Sequence, residues 1–216
     1  MAQVFPKCSN TVATASIIGG LIFMAALGGI ADRLNRSPWY SNAKVAIEQT
    51  VPFSHKHHVQ DIGLDCRYCH TSVEESSFAG IPPTKTCMNC HSEIWKDADI
   101  LEPVRESYKN NTPLKWVRVH DLPDYVYFDH SVHINKGIGC VSCHGRVDEM
   151  PLMWRENTLH MSWCLKCHRD PEEHVRPKDK VFDMTWHPDA DDPDIRARLM
   201  EEYDIQGRTS CSVCHR

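Results

Sequence analysis

Phe128-Asp129-His130-Ser131-Val132-His133, followed by Cys140-Val141-Ser142-Cys143-His144 and Cys164-Leu165-Lys166-Cys167-His168, is the stretch that decides how this chain folds. Two Cys-x-x-Cys-His boxes stand behind a pair of histidines spaced three apart. Such a box is the attachment signature of a c-type haem. Two thiols one helical turn apart meet the two vinyl groups on one porphyrin edge. The histidine directly after them lies under the iron and fills one axial position. A second axial ligand must come from elsewhere in the chain. At i and i+3, His130 and His133 project from one side of a helix and can reach two neighbouring irons.

The same arrangement occurs earlier. Phe53-Ser54-His55-Lys56-His57-His58 precedes Cys66-Arg67-Tyr68-Cys69-His70 and Cys87-Met88-Asn89-Cys90-His91. This is an internal repeat, one supersecondary unit used twice. A fifth box, Cys211-Ser212-Val213-Cys214-His215, closes the sequence.

Composition agrees with a chain organised by something other than an apolar core. Among 216 residues only 8% are aromatic, and part of the 41% apolar content lies in one N-terminal segment. So polar a remainder buries little on its own. Five haems would supply the missing apolar volume, and their propionates would add to a formal charge of −5. Of the 11 cysteines, only Cys8 falls outside the boxes. Disulfides or zinc ribbons are the other uses of paired cysteines. Neither needs a histidine after the second cysteine, so five covalently bound haem c groups are expected.

Residues 11–31 carry no charge. As a helix they span about 31 Å, enough for a bilayer core. A cleaved signal peptide is the competing reading, with Gly29-Ile30-Ala31 as small residues at a cleavage site. The apolar run exceeds the ~7–15 residues of a signal core, so a retained anchor is expected. Haem c is attached outside the cytoplasm, which places the rest of the chain on the periplasmic side of a bacterial cytoplasmic membrane, single-pass. Ala15-x-x-x-Gly19 and Ala25-x-x-x-Gly29 are small-residue pairs suited to packing on other membrane helices. No nucleic-acid partner is expected.

The expected organisation is an anchor at 1–34, a connector at 35–52, a first two-haem repeat at 53–91, a linker at 92–127, a second two-haem repeat at 128–168, and an acidic tail with the fifth box at 169–216. Trp39 and Tyr40 suit a membrane interface or the face of a haem. Gly80-Ile81-Pro82-Pro83 breaks any helix before the second box. In the tail, Asp192 and Pro193 can open a helix with Ile195, Leu199 and Tyr203 on one face and Gly207 beyond its end. The acidic run at 189–194 is a docking face for a basic partner or a solvated loop. The fold class is mostly irregular with short α-helices at the boxes, packed around a haem stack, plus one N-terminal transmembrane helix.

The proximal iron ligands are His70, His91, His144, His168 and His215, and the covalent attachments are Cys66, Cys69, Cys87, Cys90, Cys140, Cys143, Cys164, Cys167, Cys211 and Cys214. The recurring Phe-x-His-x-x-His pattern gives four distal ligands, His55, His58, His130 and His133. For the fifth, His120 comes first, because it sits among apolar residues. His160, His174, His187 and the methionines 150, 153, 161 and 184 stay open. A methionine there would raise that haem's potential.

Beyond the boxes the residues carry a resemblance. Val51-Pro-Phe-Ser-His-Lys-His-His-Val with Gly63-Leu-Asp-Cys-Arg-Tyr-Cys-His, then Trp116-Val-Arg-Val-His-Asp-Leu-Pro-Asp-Tyr-Val-Tyr-Phe-Asp-His and His160-Met-Ser-Trp-Cys-Leu-Lys-Cys-His, resemble the pentahaem cytochrome subunit of alternative complex III. The paired-histidine units are similar to the wider class III, cytochrome c3-like family with its c3/c7-like repeats. The resemblance covers residues 50–170 closely; residues 172–208 match no motif of it. It implies an electron-transfer subunit of a membrane quinol:electron-acceptor oxidoreductase. The implied partners are an iron–sulfur subunit related to molybdopterin oxidoreductases, polytopic membrane subunits that oxidise quinol, and a monohaem cytochrome c or oxidase as acceptor. No catalysis is expected of this chain alone. The alternative is a membrane quinol dehydrogenase cytochrome feeding a periplasmic reductase. A multihaem reductase would need an iron with a vacant position, and all five boxes end in histidine.

Overall fold

In the computed structural model, which describes residues 4–189 and 192–215, regular structure is short helices joined by irregular chain. The chain divides into two units, Met1–Ala43 and Lys44–Arg216. The first holds α1 (Ser9–Asn35) and the four-residue α2 (Pro38–Ser41), closed by Asn42 in the left-handed region at φ 53°. At about 1.5 Å per residue the 27 residues of α1 reach roughly 40 Å, past the ~30 Å of a bilayer's hydrocarbon. None of its residues is buried. Its apolar residues run all round the helix, the pattern of a helix that lies in an apolar environment. It is long and apolar enough to cross a membrane. Asp32 and Arg36 pair at 2.9 Å where the polar end begins.

In the second unit every box lies on a short helix: α3 (Cys66–Cys69), the end of α4 (Thr84–His91), α7 (Cys140–His144), the second half of α8 (Met161–Arg169) and α10 (Cys211–Cys214). The reason is local. An extended residue precedes the first cysteine of three boxes, Asp65, Gly139 and Ser210. A single turn then follows, with His70 N–H on Cys66 O and His215 N–H on Cys211 O, both 2.9 Å. That turn brings both thiols of a box to one face. Helix α4 starts at Thr84, directly after Pro83, where the Gly80–Pro83 break was expected. The repeat histidines open a π-helical turn (Lys56–Asp61) and α6 (His130–Asn135). The remaining longer helices are α5 (Glu102–Asn110) and α9 (Ile195–Glu202).

The apolar core is small and divided. Its three clusters are Val51, Leu101 and Val104; Val73, Ile134 and Val181; and Ile138, Val175 and Leu199. Box cysteines join two of them, Cys87 the first and Cys140 the second. The second cluster takes one residue from each repeat and one from the tail, so the repeats and tail form one body. Among the described residues pairing of strand type is confined to single bridges, one of which joins Val126 to His215. With Tyr127 N–H on Cys214 O at 2.7 Å, it seats the fifth box beside the segment that leads into the second repeat.

The tail helix α9 begins at Ile195 and packs Ile195, Leu199 and Tyr203 on one face, as the spacing predicts. It stops at Glu202, well before Gly207, and Asp192 binds the Arg198 guanidinium at 2.6 Å instead of capping it. Of the acidic run, residues 190 and 191 lie outside the described residues.

Candidate haem-ligand sites

The two repeats build the same device. Phe53 stacks on His58 (centroids 4.4 Å, planes 20° apart) and meets His55 edge-on (4.9 Å, 86°). Phe128 does the same to His133 (4.6 Å, 26°) and His130 (4.8 Å, 90°). In each repeat the second histidine turns its Nδ1–H back onto the carbonyl four residues earlier, His58 on Ser54 O (2.8 Å) and His133 on Asp129 O (2.6 Å). The phenyl ring fixes both imidazole planes; the hydrogen bond fixes the tautomer.

Backbone carbonyls also hold the box histidines. His70 Nδ1–H donates to Gly80 O (2.7 Å), His91 to Ile94 O (3.0 Å), His168 to Arg208 O (2.9 Å) and His215 to Tyr125 O (3.2 Å). His130 Nδ1–H donates to Ser77 O at 2.8 Å, across from the first repeat. A carbonyl only accepts, so Nδ1 carries the proton and Nε2 keeps its lone pair for a metal.

The rings then face one another in pairs. His58 faces His91 at 6.1 Å between centroids, His133 faces His168 at 6.1 Å, and His130 faces His144 at 6.3 Å. Two imidazoles bound to one metal from opposite sides, each at the ~2.0–2.1 Å of a metal–imidazole bond, put their centroids about 6 Å apart. The pairs fit the two axial positions of a haem iron. Zinc would instead need four donors around one point, and among the described residues no three His, Cys, Asp or Glu side chains converge in that way. His55 neighbours His70: burial first, then the His70 ring, push its pKa down to about 4. Burial likewise pushes His144 down to about 3 and lowers His58 and His133. All four rings are neutral at pH 7, the form that ligates iron.

The thiols line up from box to box. Burial raises Cys69, Cys140, Cys143 and Cys164, and pushes Cys140 and Cys143 up to about 12. After burial, the largest influence on Cys69 is Cys87, on Cys140 Cys66, on Cys143 Cys167, and on Cys164 Cys214. The boxes therefore neighbour one another in the order second, first, third, fourth, fifth. Ser77 bound to His130 and Arg208 bound to His168 join the same neighbours through the backbone.

The structure brings His120 to the third box, where its Nε2 lies 3.2 Å from His144 Nδ1. At the fifth box, the ring stacked on His215 is Tyr125 (5.9 Å, 27°). His160 precedes α8, His174 is half-buried and His187 is exposed; of the methionines, Met150 is fully buried and Met161 is 63% exposed. Sequence reasoning missed the carbonyl acceptors, because any residue type can supply a carbonyl. It included the two phenylalanines in the repeat without giving them a task.

Paired imidazoles beside one-turn Cys-x-x-Cys-His helices define a multihaem cytochrome c. The cytochrome c3 family profile matches residues 132–216, the part that holds His133, the third and fourth boxes and the terminal box. The chain is similar to the "menaquinone reductase, multiheme cytochrome c subunit" of Nitratidesulfovibrio vulgaris strain Hildenborough, 34% identical over 149 residues that cover 59% of this chain and 70% of that one. The chain belongs to this family of multihaem c-type cytochromes, electron-transport proteins with covalently bound haem.

Proposed function

We propose that this chain is the electron relay of a membrane-bound, quinone-linked oxidoreductase of the alternative complex III type, with five haems and no substrate chemistry of its own. The observation that carries the proposal is the pairing of α6: its two histidines face two different boxes, His130 the third and His133 the fourth. One short helix thereby holds two adjacent redox centres, and residues 55–58 do the same for the first two boxes. Haem iron, when bound, takes up and returns one electron at a time. At four of the five boxes the chain's own residues would fill both axial positions: His55 with His70, His58 with His91, His130 with His144 and His133 with His168; at the fifth, the ring beside His215 is Tyr125. An iron held by two imidazoles offers no place to bind a substrate. Phe53 and Phe128 hold the rings in place, so little reorganises when the charge changes. The box order makes one line, with the second and fifth boxes at its ends as the sites for entry and exit. The proposed anchor, α1, ties the unit to membrane subunits that handle the quinone, with the haem domain on the periplasmic side. An iron–sulfur subunit and a cytochrome c or oxidase complete the proposed path.

The Nitratidesulfovibrio relative favours a second direction along the same line. That protein is named as part of a menaquinone reductase, which delivers electrons to a quinone. Purifying the intact complex in mild detergent and identifying its subunits tests the proposal. Co-purification of iron–sulfur and polytopic membrane subunits is expected; a chain that purifies alone with full activity towards a small substrate would reject it. Haem midpoints above or below the quinone couple then separate the two directions.

A further inference from the structure

We infer that His120 is a positioning residue for the third haem, acting through His144, and not an iron ligand. The contact is specific. The His120 and His144 rings meet edge to face, centroids 4.4 Å apart at 68°, with Nε2 of His120 3.2 Å from Nδ1 of His144. His144 also pairs with His130, centroids 6.3 Å apart and planes only 10° apart, and in the axial pair proposed above its Nε2 would serve the iron. Its Nδ1 must then carry the proton, and His120 Nε2 must accept it.

A nitrogen lone pair that accepts this bond is not free for iron. His120 consequently carries its own proton on Nδ1. His70, His91, His168 and His215 all give their Nδ1 protons to backbone carbonyls. His144 alone among the box histidines gives its proton to a side chain, and so can be altered by mutation without touching the backbone.

The chemical effect follows from the acceptor. Imidazole nitrogen is more basic than an amide oxygen, so it draws the Nδ1 proton further off His144. The ligand gains imidazolate character, which stabilises the ferric over the ferrous state. The third haem, in the middle of the line, is held at a lower potential than its bis-histidine geometry alone would give.

The inference rests on the His130–His144 pair proposed above, and the experiment separates the two. His120→Leu, His120→Gln and His130→Gln are made in the full chain, matured with haem, and read by low-temperature spectra and redox titration. For His120→Leu every iron that is low-spin in the wild type should stay so, and one haem's midpoint should rise. The expected size is a tenfold change in its oxidised-to-reduced ratio at fixed potential, about 59 mV for one electron. His120→Gln keeps an acceptor oxygen and should restore most of the shift. His130→Gln should instead turn one iron high-spin; if it does not, the axial pair is wrong. A high-spin iron in either His120 variant would make His120 a ligand and overturn the inference, as would an unmoved potential in His120→Leu. Should His120→Leu fail to mature, the Gln variant decides alone, since a side-chain amide does not keep haem iron low-spin.

Discussion

Gly139→Ala should destabilise the haem domain through one identifiable clash. Gly139 directly precedes Cys140 and has φ −70° and ψ 143°, a conformation open to any residue. The backbone therefore gives no reason for glycine; space does. A Cβ at this position would stand 2.3 Å from Nε, 2.4 Å from Cζ and 2.8 Å from Nη1 of Arg176. Ordinary contact begins near 3.4 Å, so the guanidinium must retreat by about 1 Å. It has nowhere to go: Arg176 is only 5% exposed, its Nη1 donates to Asp183 O at 2.8 Å, and its Cζ lies 5.3 Å from the Trp186 ring. Overpacking together with one weakened charged hydrogen bond costs about 2–4 kcal/mol. For a chain of this size that is about 5–15 °C in Tm, at roughly 2–4 °C per kcal/mol. Thermal unfolding of the haem-loaded protein, followed at the Soret band, reads it. Arg176→Ala provides the control: in that background the cost of Gly139→Ala should fall below about 1 kcal/mol, because the atoms it strikes are gone. Equal losses in both backgrounds, or no loss beside the native arginine, would refute the steric account.

Three further outcomes are expected. The imidazole planes of the His58–His91 and His133–His168 pairs are 71° apart, but those of His130–His144 only 10°. Steeply crossed planes leave two iron d orbitals nearly degenerate. Electron paramagnetic resonance of the oxidised protein should therefore show at least two haems with a very large maximal g value beside one ordinary rhombic signal; one uniform signal type would contradict the geometry. The denatured protein should outweigh its polypeptide by five haem masses after full maturation, and a lower count would remove a box from the relay. The protein should remain in the membrane pellet after alkaline carbonate and leave it with detergent, through α1; release by carbonate alone would reject an integral anchor.

Much of this arrangement was legible in the sequence because haem attachment leaves a residue signature. The boxes show as one-turn helices since cysteine spacing sets the turn. The doubled Phe-x-His-x-x-His pattern carries the paired imidazoles. The spacing of Ile195, Leu199 and Tyr203 reveals the tail helix. The order of the boxes was not legible, because it depends on how the repeats stack across Val73, Ile134 and Val181, residues far apart in the chain. Nor were the carbonyls of Gly80, Ser77 and Arg208, which act through the backbone whatever their side chains. His120 is where the histidine count and the inference above part: its apolar neighbours in sequence suggest a buried ligand, and in the fold its Nε2 lies 3.2 Å from His144 Nδ1, a contact that sequence spacing does not reveal.

The relay itself is tested most directly by adding menaquinol to the intact detergent-purified complex and to the isolated chain, and following haem reduction at the α band. The expected result is rapid exchange of electrons between quinone and haems in the complex, with none above background in the lone chain. Turnover of quinol by the isolated chain, accompanied by stoichiometric carbon monoxide binding at one of its haems, would contradict the account.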